Sequence, residues 1–304
     1  MFKLIYAIIF AISSLNSVYA TAAINVAITQ IAPHKSLDQV REGAIDELKE
    51  QFPKIIIHHY NAVGSIINAT NIAASLNASD SQVVIAIATP MAQSLKQKIK
   101  DKPIVFASVT NPKQAELVKN YEHPESNITG VINNIAALEQ INFIKKILPS
   151  VQKIGIIYNP AEANSNAIIQ DLKAYEHKGL KFILKPLNNS NEVVLTVNAI
   201  LKQIDCLLLI NDNTVANSAS VIVNHLKKEK IPVIAVFDAS EFGVLASIYN
   251  DEYTIGRQAG KMAVKLLRGE KLANIPVETA YKQLTTVNKK VAEELGLKIA
   301  PINQ

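Results

Sequence analysis

Residues 82–99 read QVVIAIATPMAQSLKQKI, and this stretch decides the fold. After Gln82 the run to Ala88 is wholly apolar and does not alternate, as a strand covered on both faces requires. Thr89 ends it as the expected helix N-cap, and Pro90 stands at the first helical position. From Met91 to Ile99 the apolar residues Met91, Ala92, Leu95 and Ile99 recur at helical spacing. Strand, cap and helix in succession form one βα unit of a parallel sheet.

The same unit repeats outward in both directions. Upstream, strands are expected over 24–29 and 55–60 and helices over 36–51 and 65–76, with Val40, Ala44, Ile45 and Leu48 on one helical face. Strand 104–107 closes this set. A second set begins with helix 138–148 and continues through strands 153–158, 181–186, 206–210 and 233–236, with helices 165–177, 192–203 and 215–228 between them. Two successive βα sets predict two doubly wound lobes of similar size. Strand 246–249, helix 255–267, strand 283–287 and helix 289–295 remain, and an isolated βα unit after a finished set reads as the chain returning to the first lobe through a hinge of several crossings.

Composition agrees with a chain of two lobes. Of 304 residues, 49% are hydrophobic and 19% charged, which excludes a disordered chain and exceeds what one core usually supports. The net charge of +5, from 31 basic and 26 acidic residues, is spread rather than clustered, so no nucleic-acid partner is expected. A single cysteine, Cys206, lies in an apolar strand and excludes both a disulfide framework and a CxxC site. Lys3, the apolar run Leu4 to Ile12 and the small-residue pattern Val18-Tyr19-Ala20 predict a signal peptide over 1–20. The apolar run is too short to span a bilayer, and no cysteine near the cut invites a lipid anchor. A periplasmic location is therefore expected.

Ligands of open α/β sheets sit beyond the carboxyl ends of the strands. There this chain places Gln30 and His34; Thr89 and Pro90; Ser108, Thr110 and Asn111; Tyr158, Asn159, Asn164 and Ser165; Asp212 and Asn213; and Phe237. Asp251 follows strand 246–249. These hydroxyls, amides, carboxylates and rings suit a small polar ligand. An α-amino acid would set its carboxylate at Thr89 and the helix start behind it, helped by Thr110. Its ammonium would meet Asp251, with Asp212 second, and Tyr158, Phe237 and Tyr249 are placed to stack on a ring. No GxGxxG, P-loop or Gly-x-Ser-x-Gly occurs, and the histidines lack partners at metal-ligand spacing. No cofactor, metal or catalysis is expected.

Six segments carry a resemblance: Ile28-Thr29-Gln30-Ile31-Ala32-Pro33-His34, Ile87-Ala88-Thr89-Pro90-Met91-Ala92-Gln93, Val109-Thr110-Asn111-Pro112, Tyr158-Asn159-Pro160 through Ser165, Asp212-Asn213-Thr214-Val215, and Ile255-Gly256-Arg257-Gln258-Ala259-Gly260. In order and spacing they resemble the periplasmic substrate-binding proteins of ABC transporters, in the family associated with tryptophan and tyrosine uptake. The resemblance implies a type I periplasmic binding fold, two parallel-sheet α/β lobes joined by a three-segment hinge. Crossings are expected near Gly130, Val236 to Glu241 and Ile275 to Val277, giving a first lobe of 21–131 plus 240–276 and a second of 132–239 plus 277–304. It further implies a monomer that captures an amino acid, expected to be aromatic, and hands it to ABC permease membrane subunits. A ligand-presenting receptor for a sensor, or a different small solute, is the alternative. An exported enzyme would need a nucleophile–base pair, and a repressor a helix-turn-helix ahead of the first lobe; neither is visible.

Overall fold

The computed structural model describes residues 23–176 and 179–299, so the expected signal peptide lies outside the described residues. The first sheet is built from β1 (Asn25–Gln30), β2 (Ile56–Asn61), β3 (Val83–Ile87), β4 (Ile104–Val109) and β5 (Ile128–Ile132). Helices α1 (Lys35–Gln51), α2 (Ile66–Asn77) and α3 (Thr89–Lys98) connect the first four strands. The second sheet takes β6 (Lys153–Tyr158), β7 (Lys181–Pro186), β8 (Cys206–Leu209), β9 (Val233–Ala235) and β10 (Ala246–Asn250). Helices α4 (Ala137–Ile147), α5 (Ala163–Lys173), α6 (Val193–Ile200), α7 (Asn213–Asn217) and α8 (Ala219–Lys228) belong with it. The chain ends with α9 (Glu252–Leu267), β11 (Glu278–Thr279), β12 (Gln283–Val287) and α10 (Lys289–Glu294).

The sheet orders are β11-β5-β4-β3-β1-β2 and β12-β10-β9-β8-β6-β7, two doubly wound lobes as expected. Every pairing is parallel except β10 with β12, which is antiparallel. Buried apolar residues fill the strands of both sheets: Val83 to Ile87 along β3 and Cys206 to Leu209 along β8. Each order reverses beside its first strand, between β1 and β3 and between β6 and β8. Such switch points are where doubly wound sheets open a ligand crevice.

Several boundaries differ from those expected. Strand β5 was not anticipated, because Gly130 in its middle weakens the strand signal. A Cβ on Gly130 would stand 2.0 Å from the Phe106 carbonyl oxygen, so glycine lets β5 lie against the bulge in β4. Gly130 is thus inside the sheet rather than at a hinge. Residues 215–228, read as one helix, divide at Ser218 into α7 and α8. Strand β10, expected in the first lobe, pairs with β9 and β12 in the second. The second crossing therefore falls at Asn250–Glu252, not near Val236. The first crossing follows Ile132 and the third follows Thr279, a few residues beyond the expected Ile275 to Val277.

Beyond the second crossing, α9 docks on α1, as the first-lobe reading requires. Small residues allow this close approach. A Cβ on Gly43 would lie 2.1 Å from the Tyr253 carbonyl oxygen, and one on Gly256 2.0 Å from that of Val40. The crossings are tied to one another: Asn250 Nδ2 donates to Asn133 Oδ1 at 2.9 Å, and the Asp251 N–H donates to the Lys282 carbonyl at 2.8 Å.

Candidate ligand-binding site

A cavity opens between the lobes at the two switch points, with about 420 Å³ of space unfilled by atoms, part of it open to solvent. The first lobe lines it with His34, Ser36 and Leu37 after β1, Ala88 and Thr89 after β3, Ser108 in β4 and Thr110 just after it, and Asn133 after β5. The second lobe contributes Asn164 on α5, Asn211, Asp212, Asn213 and Ala216 after β8, and Phe237 after β9. Glu252 enters from the second crossing.

Backbone geometry aims the first-lobe groups. Ala88 has φ 77° and ψ 156°, a region essentially reserved for glycine, and Ser108 has φ 58°. Each such residue costs of order 1–3 kcal/mol and persists only where its surroundings fix it. At Ala88 the turn ends β3 abruptly, so Ala88 and not Thr89 is the residue before the helix, and Thr89 is the first helical position. At Ser108 the strand bulges, and the Ser108 hydroxyl accepts from Asn133 Nδ2 at 3.0 Å. The first turn of α3 leaves N–H groups without helical acceptors, Pro90 offering none.

Three buried polar atoms among the cavity residues have no partner in the protein: Thr89 Oγ1, His34 Nε2 and Asn164 Oδ1. A buried polar atom left unpaired costs about 1–3 kcal/mol, so three beside one cavity mark a place for a ligand. Burial holds the His34 pKa below its usual value, against the opposing influence of Asn213, Asp38 and Glu162, so the ring is neutral at neutral pH. That ring meets the Asn213 side chain across the cleft.

The carboxylates are unevenly committed. Asp212 caps α7 through the Val215 N–H at 2.9 Å and also accepts from the Asn159 N–H at 2.6 Å and Ser165 Oγ at 2.7 Å. Burial, and next the charge of Glu162, push its pKa up. Glu162 itself accepts from Asn164, Asn213 and Thr214. Asp251, expected to face the cleft, instead caps α9 through the Thr254 N–H and pairs with Lys282 at 2.7 Å. It does not line the cavity because the strand-to-helix turn points the next residue inward. That residue, Glu252, is buried, and burial pushes its pKa up to about 8.

Of the residues expected from the sequence, His34, Thr89, Ser108, Thr110, Asn164, Asp212, Asn213 and Phe237 line the cavity. The others stand behind or beside it. Gln30 bonds Asp38, Arg41 and the Ala32 carbonyl. Pro90 and Asn159 face a second opening at the cleft edge, Ser165 supports Asp212, and Asn111 accepts from the Gln114 N–H. Tyr158 and Tyr249 do not reach the lining, which leaves Phe237 as its aromatic residue. Burial, with Asp238, Glu252 and Asp251 nearby, raises the Tyr249 pKa to about 12. Asn133 escaped notice with its strand, and Glu252 by one position.

Across the cleft, Lys35 of α1 pairs with Asp238 behind β9, and Gln114 donates to Gln170 of α5. Hydrogen bonds to Asp238 from Ser240 and Lys35 outweigh its burial and hold its pKa low. No group of three or more metal-ligating side chains and no helix able to cross a membrane occurs among the described residues. Cys206 is buried, which pushes its thiol pKa up to about 12 and away from nucleophilic use.

Comparison with known proteins gives a consistent picture. The model of the ABC transporter substrate binding protein family matches residues 25–301. A "Tyrosine-binding protein" of Clostridioides difficile (strain R20291) is 30% identical over 279 residues, covering 90% of this chain and 81% of that one. The structure of an ABC domain in complex with L-Trp from Streptococcus pneumonia is 33% identical with a TM-score of 0.88, covering 92% and 96% of the two chains. The ligand-free, open structure of a substrate binding protein with adhesive properties from Clostridium difficile is 32% identical with a TM-score of 0.70, covering 93% and 97%. At nearly equal identity, the L-Trp complex is the better match in shape.

Proposed function

The chain belongs to the ABC transporter substrate-binding protein family, and from that premise we propose that it captures an aromatic α-amino acid between its lobes and delivers it to an ABC permease. It works outside the cytoplasmic membrane, after removal of a signal peptide, and converts nothing. The observation that carries this reading is the set of unpartnered buried atoms, Thr89 Oγ1 and His34 Nε2 from one lobe and Asn164 Oδ1 from the other, around a cavity with Phe237 in its wall.

The chemistry of the lining fits such a ligand. The hydroxyls of Thr89 and Thr110 and the start of α3 suit a carboxylate. Phe237, Leu37 and Ala216 offer apolar surface for a ring. The ion pair and amide contacts across the cleft are those of lobes brought together, consistent with capture by hinge closure. The names of two relatives, one called tyrosine-binding and one solved with L-Trp, support an aromatic side chain.

The chain contains no tryptophan, which gives a clean test. Indole emission excited at the red edge of its absorption, where tyrosine absorbs little, comes only from added L-tryptophan. Entry into the cleft should shift that emission to the blue and raise its anisotropy, and L-tyrosine and L-phenylalanine should compete. Unchanged emission and anisotropy, with no thermal protection by any of the three, would refute the aromatic assignment.

A further inference from the structure

We propose that Glu252 receives the ammonium group of the ligand and makes a free amino group a condition of binding; this rests on the reading of the site as an amino-acid site. Four other acidic side chains in or around the cleft are committed. Glu162 accepts from three neighbouring residues, and Asp212 from Val215, Asn159 and Ser165. Asp238 holds Lys35 and Ser240. Asp251 holds Lys282 and the Thr254 N–H.

Glu252 is different. It lines the cavity, is only 3% exposed, and has no cation within ion-pair distance among the described residues. Lys35 feels its charge but is bonded to Asp238. The backbone N–H groups of Glu252 and Asp238 favour its ionised form, yet burial outweighs them. A buried carboxyl without a counter-ion is expensive, and a desolvated ammonium is equally so. Each removes the other's cost. The hydroxyls of Thr89 and Thr110 rise from strand ends of the first sheet, whereas Glu252 enters at the crossing between lobes, so the cavity offers its anion-binding and cation-binding groups from different elements. An α-amino acid carries just that pair of charges.

The test compares L-tryptophan with indole-3-propionate, which keeps the ring and carboxylate and lacks the amino group. Both are titrated by indole emission on the alkaline side of neutrality, with wild-type protein, Glu252→Gln and Asp212→Asn. Wild-type protein should prefer the amino acid at least tenfold. Glu252→Gln should bring the preference close to unity by losing affinity for L-tryptophan while that for indole-3-propionate holds or rises; a packing defect would weaken both. Thermal unfolding of the variant verifies its fold. If Glu252→Gln keeps the preference, or Asp212→Asn alone abolishes it, the proposal is overturned while the amino-acid reading stands. Wild-type protein that binds neither tryptophan nor tyrosine overturns that reading and the proposal with it.

Discussion

Lys35, the first residue of α1, reaches across the cleft to Asp238 behind β9, with Nζ 2.9 Å from Oδ2. The two side chains are 35% and 12% exposed, and neither lines the cavity, so the bond holds the lobes together without touching what lies between them. Lobes that part lose it. A half-exposed pair of this kind contributes at most about 1 kcal/mol and is weakened by salt. Asp238→Asn and Lys35→Met should therefore each weaken ligand binding by up to roughly fivefold. The double variant should lose no more than either alone. Calorimetric titration at low and high salt checks this, and an undiminished wild-type advantage at high salt would count against it.

Thr89 Oγ1 is buried beside the start of α3 with no partner in the protein. Thr89→Val keeps the shape and removes the donor, so affinity for L-tryptophan should fall by about 1.5–3 kcal/mol, the range for a hydrogen bond to a charged group. The free protein should be no less stable, because the lost hydroxyl was unsatisfied. Binding unchanged within error would place the carboxylate elsewhere.

Glu252 sets a pH dependence whose sign can be worked out. In the free protein it titrates at about 8, above the usual 4.5, so between those values the folded chain holds a proton that the unfolded chain has lost. Stability should then fall as pH rises through that window. Asp212, also raised, adds to the slope, whereas the lowered Asp238 and Asp251 act only in acid. Lys35 and Tyr249 also stand in its surroundings; Tyr249 stays neutral throughout, and His34 shares the cavity. His34 and His59, both held below their usual value, act the other way below 6.5, so thermal unfolding of the free protein should show a declining melting temperature from about pH 6.5 to about pH 8, with a shallower decline in Glu252→Gln. Binding of L-tryptophan near neutral pH should release a proton, seen as a calorimetric heat that depends on the buffer's ionisation enthalpy.

Gly256 of α9 lies against the Val40 carbonyl of α1, leaving no room for a methyl group. Gly256→Ala should separate the two helices and lower stability by about 1–3 kcal/mol, the usual cost of overpacking. Gly269, beyond the end of α9, has open space around it and φ 89°, so Gly269→Ala tests backbone strain alone. Denaturant unfolding should rank Gly256→Ala as the more damaging. The reverse order would mean that α1 and α9 are not packed through backbone.

The signal peptide expected over 1–20 ends in Val18-Tyr19-Ala20. N-terminal sequencing of exported protein should therefore begin at Thr21. A chain still starting at Met1 would contradict that cut.

The two doubly wound lobes are legible in the residue pattern, because unbroken apolar strands alternating with amphipathic helices leave a parallel sheet as the arrangement that buries both faces. That pattern also marks the strand ends as the place for a ligand, since the order of the elements puts polar turns there, and Thr89, Ser108, Thr110, Asn164, Asp212 and Asn213 do stand at one cavity. Which neighbour faces inward was decided only by tertiary structure. Asp251 and Glu252 are equivalent in sequence, and the turn that hands Asp251 to Thr254 and Lys282 is what swings Glu252 into the cavity. The crossings were out of reach for the same reason. Strand β10 is apolar enough for either lobe, and its pairing with β9 and β12 is a long-range contact that no local pattern records. Local propensity fixes the elements; side-chain direction and lobe membership are fixed by contacts between residues far apart in the chain.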